Sequence, residues 1–309
     1  IPGRLAVRAR HVVTAVALSL TVASPLFANT DELKLPALGE SGSSMFSSEF
    51  EHQLGRAWLR AFRSQAPVVN DPLMFDYLED LIYRLVTHSK LQDRLVVVDN
   101  PTINAFAVPG GVIGVQNGLL LWAQSEDELA TVLAHEIAHL SQRHFSRGVE
   151  FQKKQQPLAL AAMLASLIIM ATAGGDAGMA ALSATQAATQ DSALRYSRSN
   201  EQEADRIGMQ TIVDAGMDPN AAPAMFERML QAARYASSNR VPEFLRSHPL
   251  SESRIADTRN RARQYPKQIH PTSLNYQLMR ARAQNQLANT PEEAVQTFRG
   301  ELDGKSQSR

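Results

Sequence analysis

Residues His135-Glu136-Ile137-Ala138-His139 place two imidazoles and a carboxylate within one short stretch. On an α-helix, four residues span about 400° of rotation, so His135 and His139 share a face one turn apart, the spacing of a pair of zinc ligands. Glu136 projects about 100° round from His135, where it can take a proton from a water that such an ion polarises without binding the ion itself. The neighbours Val132, Leu133, Ala134, Ile137 and Ala138 are apolar. A buried polar group without a partner costs about 1–3 kcal/mol, so chance decoration of an exposed helix does not account for the cluster. The chemistry implied is hydrolysis with one Zn2+ per chain.

A catalytic zinc takes three protein ligands, and the third has to come from elsewhere. In the extended pattern H-E-x-x-H-x-x-G-x-x-H a third histidine follows, but here Gln142 stands in place of Gly and His144 arrives one residue early. On a continuous helix His144 faces away from His135, so it is expected to pack or hydrogen-bond beside the site. The stretch RYSRSNEQEADRIG, 195–208, offers acids instead. Glu201 and Asp205 are four apart, so one can bind the metal while the other accepts the free N–H of a zinc histidine. Glu203 competes with Glu201 but points about 200° away from it and has no acid at its own i+4. The expected ligands are therefore His135, His139 and Glu201, with Glu136 as general base and Asp205 behind a histidine.

HEIAH followed by NEQEAD resembles the gluzincin metallopeptidases that include HtpX and the CAAX prenyl-protein proteases, whose pattern is H-E-x-x-H followed by E-x-x-A-D. NAFAVPGGVIGVQNGLL before the motif and HPLSESR, 248–254, after it are similar to the soluble, exported branch of that family. The resemblance covers about residues 45–265. It implies an α+β, mainly helical zincin-type domain with a small sheet or hairpin, and zinc-dependent endopeptidase activity. It also implies unfolded or misassembled envelope proteins as substrates, above all outer-membrane β-barrel proteins of a Gram-negative bacterium, with the β-barrel assembly machinery as a partner. The rival reading from another class is a chaperone or assembly scaffold with proteolysis secondary. His248 lies in a Pro-bounded loop, where it either donates to the oxyanion of the tetrahedral intermediate or occupies the open metal position. Arg254 either stabilises the same oxyanion or forms a salt bridge.

The elements that position these residues are legible in part. Ser48 with Glu51 is a candidate capping box for a helix reaching about Arg63, and Asp71-Pro72 opens a second reaching about His88. The β-branched runs 94–100 and 104–116, the latter around Gly110-Gly111, read as a strand and a hairpin, and the hairpin is a candidate edge for pairing with an extended peptide. Ser125 with Glu128 caps the motif helix. Residues 157–190 read as a helical flap over a cleft, since only 158–173 is apolar enough for even a short membrane span; at most peripheral membrane contact is expected. Helical periodicity resumes at Ser199 and runs to Ala215, with Gly216 as the cap. Pro266 and Pro271 mark a linker, and 273–303 reads as two short helices, the start of a tetratricopeptide-like repeat.

Lys plus Arg equals Asp plus Glu at 31 each, and no basic field for nucleic acid is present. Residues 1–28 have a basic start, an apolar run of roughly 16 residues and a closing Ala28, the pattern of a secretory signal peptide with Ala23 as an alternative cleavage point. Residues 29–44 read as a flexible leader. The sequence contains no cysteine, which excludes thiol catalysis, thiolate zinc sites and disulfides. Export without a lipid-modified cysteine points to the periplasm.

Overall fold

The computed structural model describes residues 47–87, 94–173, 175–235, 242–266 and 273–304. The signal-peptide and leader segments, the His88 end of the second helix and the Pro271 linker lie outside the described residues.

A three-stranded sheet is flanked by helices. Its strands are β1 (Arg94–Val98), β2 (Ala105–Val108) and β3 (Val112–Gln116), in the order β1-β3-β2. β3 is central, parallel to β1 and antiparallel to β2, with Val108 opposite Val112. The turn between β2 and β3 needs Gly110 (φ 88°) and Gly111 (φ 79°) in the left-handed region, which residues with a Cβ rarely enter. β2 is thus an edge strand. It carries the Phe106 ring, which meets the stacked pair Trp58 and Phe62 from α1 (Ser48–Gln65) edge-on.

The cap of α1 differs from the sequence expectation. Ser47, one residue earlier, accepts the Phe50 N–H, and Glu51 reaches instead to Arg143 and Ser146 across the molecule. Asp71 caps α2 (Pro72–Val86) as expected, accepting from Leu73 and Met74. Its other oxygen binds Arg282 and Gln286 of α10 (Leu274–Leu287). A short α3 (Asn117–Trp122) follows the hairpin directly.

α4 (Glu126–Ser141) carries the motif. Ser125 accepts the Glu128 N–H, and the Glu128 carboxylate turns back to the Gln124 N–H, so local chemistry fixes the start. Every residue from Glu128 to Ala138 is buried, because α2, β2, α6 and α7 (Ala221–Tyr235) surround this helix. α5 (His144–Ala173) and α6 (Gly175–Asp214) form a long antiparallel pair. The expected helix start at Ser199 is therefore corrected: α6 runs unbroken from Gly175, and the small residues before Ser199 are helical because α5 packs along them. Among the described residues no helix is long and apolar enough to cross a membrane.

α8 (Phe244–Ser247) and α9 (Glu252–Ala262) close the site. Beyond them α10 and α11 (Pro291–Leu302) form the helical hairpin. α10 packs on α2 and α3, burying Tyr276, Met279 and Ala283, and the Tyr276 hydroxyl donates to the Leu120 and Ala123 carbonyls. One face of α10 is thus covered by the body of the protein, while Leu274, Leu278, Val295 and Leu302 of the hairpin stay exposed.

Candidate metal centre

The spacing argument for α4 holds in space. His135 Nε2 and His139 Nε2 lie 3.0 Å apart. α6 brings Glu201 against both, with Oε2 3.4 Å from His135 Nε2 and Oε1 3.4 Å from His139 Nε2. This approach depends on Gly208: a Cβ there would sit 3.1 Å from the His135 backbone nitrogen. The loop after α8 adds His248, whose Nδ1 is 3.0 Å from Glu201 Oε2 and 3.3 Å from His135 Nε2. The start of α8, just before that loop, is held by Phe244 N–H donating to the Ile103 carbonyl beside β2 and by Gln116 of β3 donating to Glu243.

One donor atom from each of His135, His139, Glu201 and His248 lies within 4.8 Å of the other three. Donors at about 2.0–2.1 Å from a tetrahedral zinc sit about 3.3 Å from one another, so the close separations match the edge of that tetrahedron. Two imidazole nitrogens beside one carboxylate share the space between them only with a proton or a cation in it. The residues present fit a nitrogen- and oxygen-ligated zinc.

The surrounding charges agree. Burial favours the neutral form of His135, but the carboxylates of Asp205 and Glu201 override it and raise its pKa to about 10. Burial and the adjacent His135 hold His139 well below the ordinary histidine value. Burial pushes Glu201 up, but His135 and His248 hold it far below the ordinary carboxylate range. These groups together favour one positive charge at the point where they converge.

Glu136 is 1% exposed and stands outside the donor group. Its Oε1 lies 3.3 Å from His248 Nε2 and has no hydrogen bond. Burial raises its pKa, with Glu201 adding to the shift and His248 and His135 opposing it. It borders a cleft lined also by Phe106 and Ala107 of β2, Leu140, Phe145 and His248. The edge strand therefore runs beside the candidate base.

Asp205 Oδ1 lies 3.1 Å from His135 Nδ1, off the line of a good hydrogen bond. Arg254 clamps Asp205 with two bonds of 2.7 Å, donates to the Pro249 carbonyl at 2.8 Å and lies 3.2 Å from Glu201 Oε2. Burial pushes Asp205 up, but Arg254 and His135 bring it below the ordinary value. Of the two roles open to Arg254 in the sequence, the salt bridge is the one its geometry displays.

His144 hydrogen-bonds beside the site, as expected, but reaches it by a turn in the chain rather than along a continuous helix. α4 ends at Ser141, and Arg143 takes a left-handed φ of 53°, which swings the chain round. His144 Nδ1 comes within 2.8 Å of His139 Nδ1, and its Nε2 lies 3.2 Å from Glu203. Burial holds His144 below the ordinary histidine value. Glu203, the competing ligand in the sequence, lies outside the donor group and pairs with His144 and Arg147. The sequence did not show the turn that makes this link, because an arginine carries no signal for a left-handed conformation.

The model of Peptidase family M48 matches residues 72–262. The chain is 42% identical over 275 residues to the "Putative beta-barrel assembly-enhancing protease" of Vibrio cholerae, covering 87% of this chain and 56% of that protein. It is 41% identical over 269 residues to the "Beta-barrel assembly-enhancing protease" of Escherichia coli, covering 86% and 54%. It is also 32% identical over 182 residues to "Mitochondrial metalloendopeptidase OMA1" of Schizosaccharomyces pombe, covering 58% and 50%. The chain thus spans about half the length of the relatives it matches. With a family match across the helices and strands that build the donor group, the chain belongs to Peptidase family M48.

Proposed function

We propose that this chain is a zinc-dependent metalloendopeptidase of the periplasm that cleaves misfolded or stalled outer-membrane β-barrel proteins, in contact with the β-barrel assembly machinery. The observation that carries the reading is the convergence of His135, His139 and Glu201 at tetrahedral spacing, with buried Glu136 beside them and facing a cleft. The names of the 42% and 41% identical relatives support the substrate class.

Zinc held by His135, His139 and Glu201 supplies Lewis acidity at the scissile carbonyl and at the attacking water. Glu136 takes the proton of that water and returns it to the leaving amine, a role suited to a carboxyl whose pKa burial has raised. β2 lies at the edge of the sheet along the cleft, where an extended substrate chain can add as a strand. Asp205, fixed by Arg254, holds the His135 ring from behind.

Removing zinc with a chelator is expected to abolish cleavage of an unfolded β-barrel protein, and stoichiometric zinc to restore it. Cleavage that persists in the chelated protein refutes the reading. His248 is proposed to fill the fourth position in the resting enzyme, so that its loop must move before substrate enters. A zinc-loaded crystal structure should show His248 Nδ1 on the metal; water there, with His248 turned away, counts against this.

A further inference from the structure

The chain supports its two α4 histidines differently. Behind His135 stands an anion, Asp205, held by Arg254. Behind His139 stands a second imidazole, with His144 Nδ1 2.8 Å from His139 Nδ1. The His144 side chain is 5% exposed, and its Nε2 faces Glu203 Oε2 at 3.2 Å, the same oxygen that Arg147 meets at 3.0 Å.

Two Nδ1 atoms at this distance form a hydrogen bond only if one carries a proton and the other a lone pair. His139 turns Nε2 toward His135 and Glu201, and a ring that offers Nε2 to a metal carries its proton on Nδ1. His144 then accepts at Nδ1, which leaves its own proton on Nε2, where the Glu203 carboxylate accepts it. All four ring nitrogens have one consistent assignment. The left-handed Arg143 is the backbone feature that returns His144 to this place, since a continued α4 would carry it away.

We propose that His144 is a positioning residue that accepts the Nδ1–H of His139 and, anchored by Glu203, fixes the tautomer and ring orientation of His139 for metal binding. This rests on the reading of His135, His139 and Glu201 as zinc ligands.

The test is zinc affinity of the full chain, measured by competition with a chromophoric chelator, in wild type, His144→Phe and His144→Asn. The Asn side-chain oxygen stands as many bonds from Cβ as His Nδ1 and can accept the same N–H; Phe fills the space without an acceptor. His144→Phe is expected to bind zinc about 10- to 100-fold more weakly, and His144→Asn within about 3-fold of wild type. Equal affinity in His144→Phe and wild type overturns the proposal, and so does an equal loss in both variants, which would assign the effect to ring packing. Should His144→Phe fail to fold, 15N spectra of the zinc-loaded wild type decide. Protonated His139 Nδ1 beside unprotonated His144 Nδ1 is expected; a proton on His144 Nδ1 overturns the assignment. A wild type with no affinity for zinc fails the underlying metal reading together with this one, whereas a zinc-binding wild type matched by His144→Phe fails this one alone.

Discussion

Glu136→Gln is expected to lower kcat/KM on an unfolded β-barrel protein by about 10²- to 10⁴-fold while the variant keeps one zinc per chain. The side chain is wholly enclosed at 1% exposure, and the donor group of four does not include it. Gln preserves the volume and the packing of α4 but can neither take a proton from water nor hand one to the leaving amine. Burial is also what fits the native carboxyl for the second task, since it raises the pKa and lets the acid form persist closer to neutrality. Cleavage at the wild-type rate would remove Glu136 from the chemistry. Loss of zinc would move it into the ligand set. The same variant separates the two functional classes raised by the sequence: an effect on β-barrel assembly that survives Glu136→Gln would favour a scaffold over a protease.

Arg254→Met is expected to destabilise the zinc-loaded protein by about 3–5 kcal/mol at neutral pH, the cost of leaving one member of a buried ion pair without its partner. For a domain of this size that is roughly 6–20 °C in Tm. Arg254 and Asp205 are 4% and 5% exposed at the side chain, so solvent cannot take over the lost contacts. Met fills the aliphatic volume, but Asp205, Glu201 and the Pro249 carbonyl all lose a donor, and the guanidinium that lies 5.7 Å from the Phe226 ring is gone. The sign of the pH dependence follows from Asp205. In the native protein Arg254 holds its pKa below the ordinary carboxylate value, so this contribution is complete above that value and is lost as pH falls through the lowered folded pKa. In the variant, burial acts with less opposition and the Asp205 pKa rises. The gap in stability should therefore be widest at neutral pH and narrow on acidification between the two pKa values. Chemical denaturation of both proteins across that range measures it; a gap that is small at pH 7, or that widens in acid, contradicts the buried-pair assignment.

What was legible in the sequence was the part set by local spacing. The cap of α4, the shared face of His135 and His139 and the i, i+4 pair Glu201 and Asp205 all follow from 3.6 residues per turn, and the Gly110-Gly111 turn follows from the cost of positive φ. What escaped was set by contacts distant in sequence. The parallel pairing of β1 with β3 places β2 at the edge, and nothing in the strand sequences specifies that order. The first half of α6, rich in Ala, Ser and Thr without a strong apolar stripe, was read as helical within 157–190, but its unbroken continuity with the half that carries Glu201 is evident only in the structure, where α5 lies along it. The two readings of Arg254 stood level until its distance to Asp205 was in hand, and the partner of His144 was hidden because α4 stops three residues before it, at Ser141, and the chain turns back.

The central claim is that His135, His139 and Glu201 hold a zinc ion. Elemental analysis of the purified full chain, after exhaustive dialysis against metal-free buffer, tests it most directly. One zinc per chain in the wild type, lost in His135→Ala, is the expected result. A wild type that carries no zinc and takes none up on titration would contradict it.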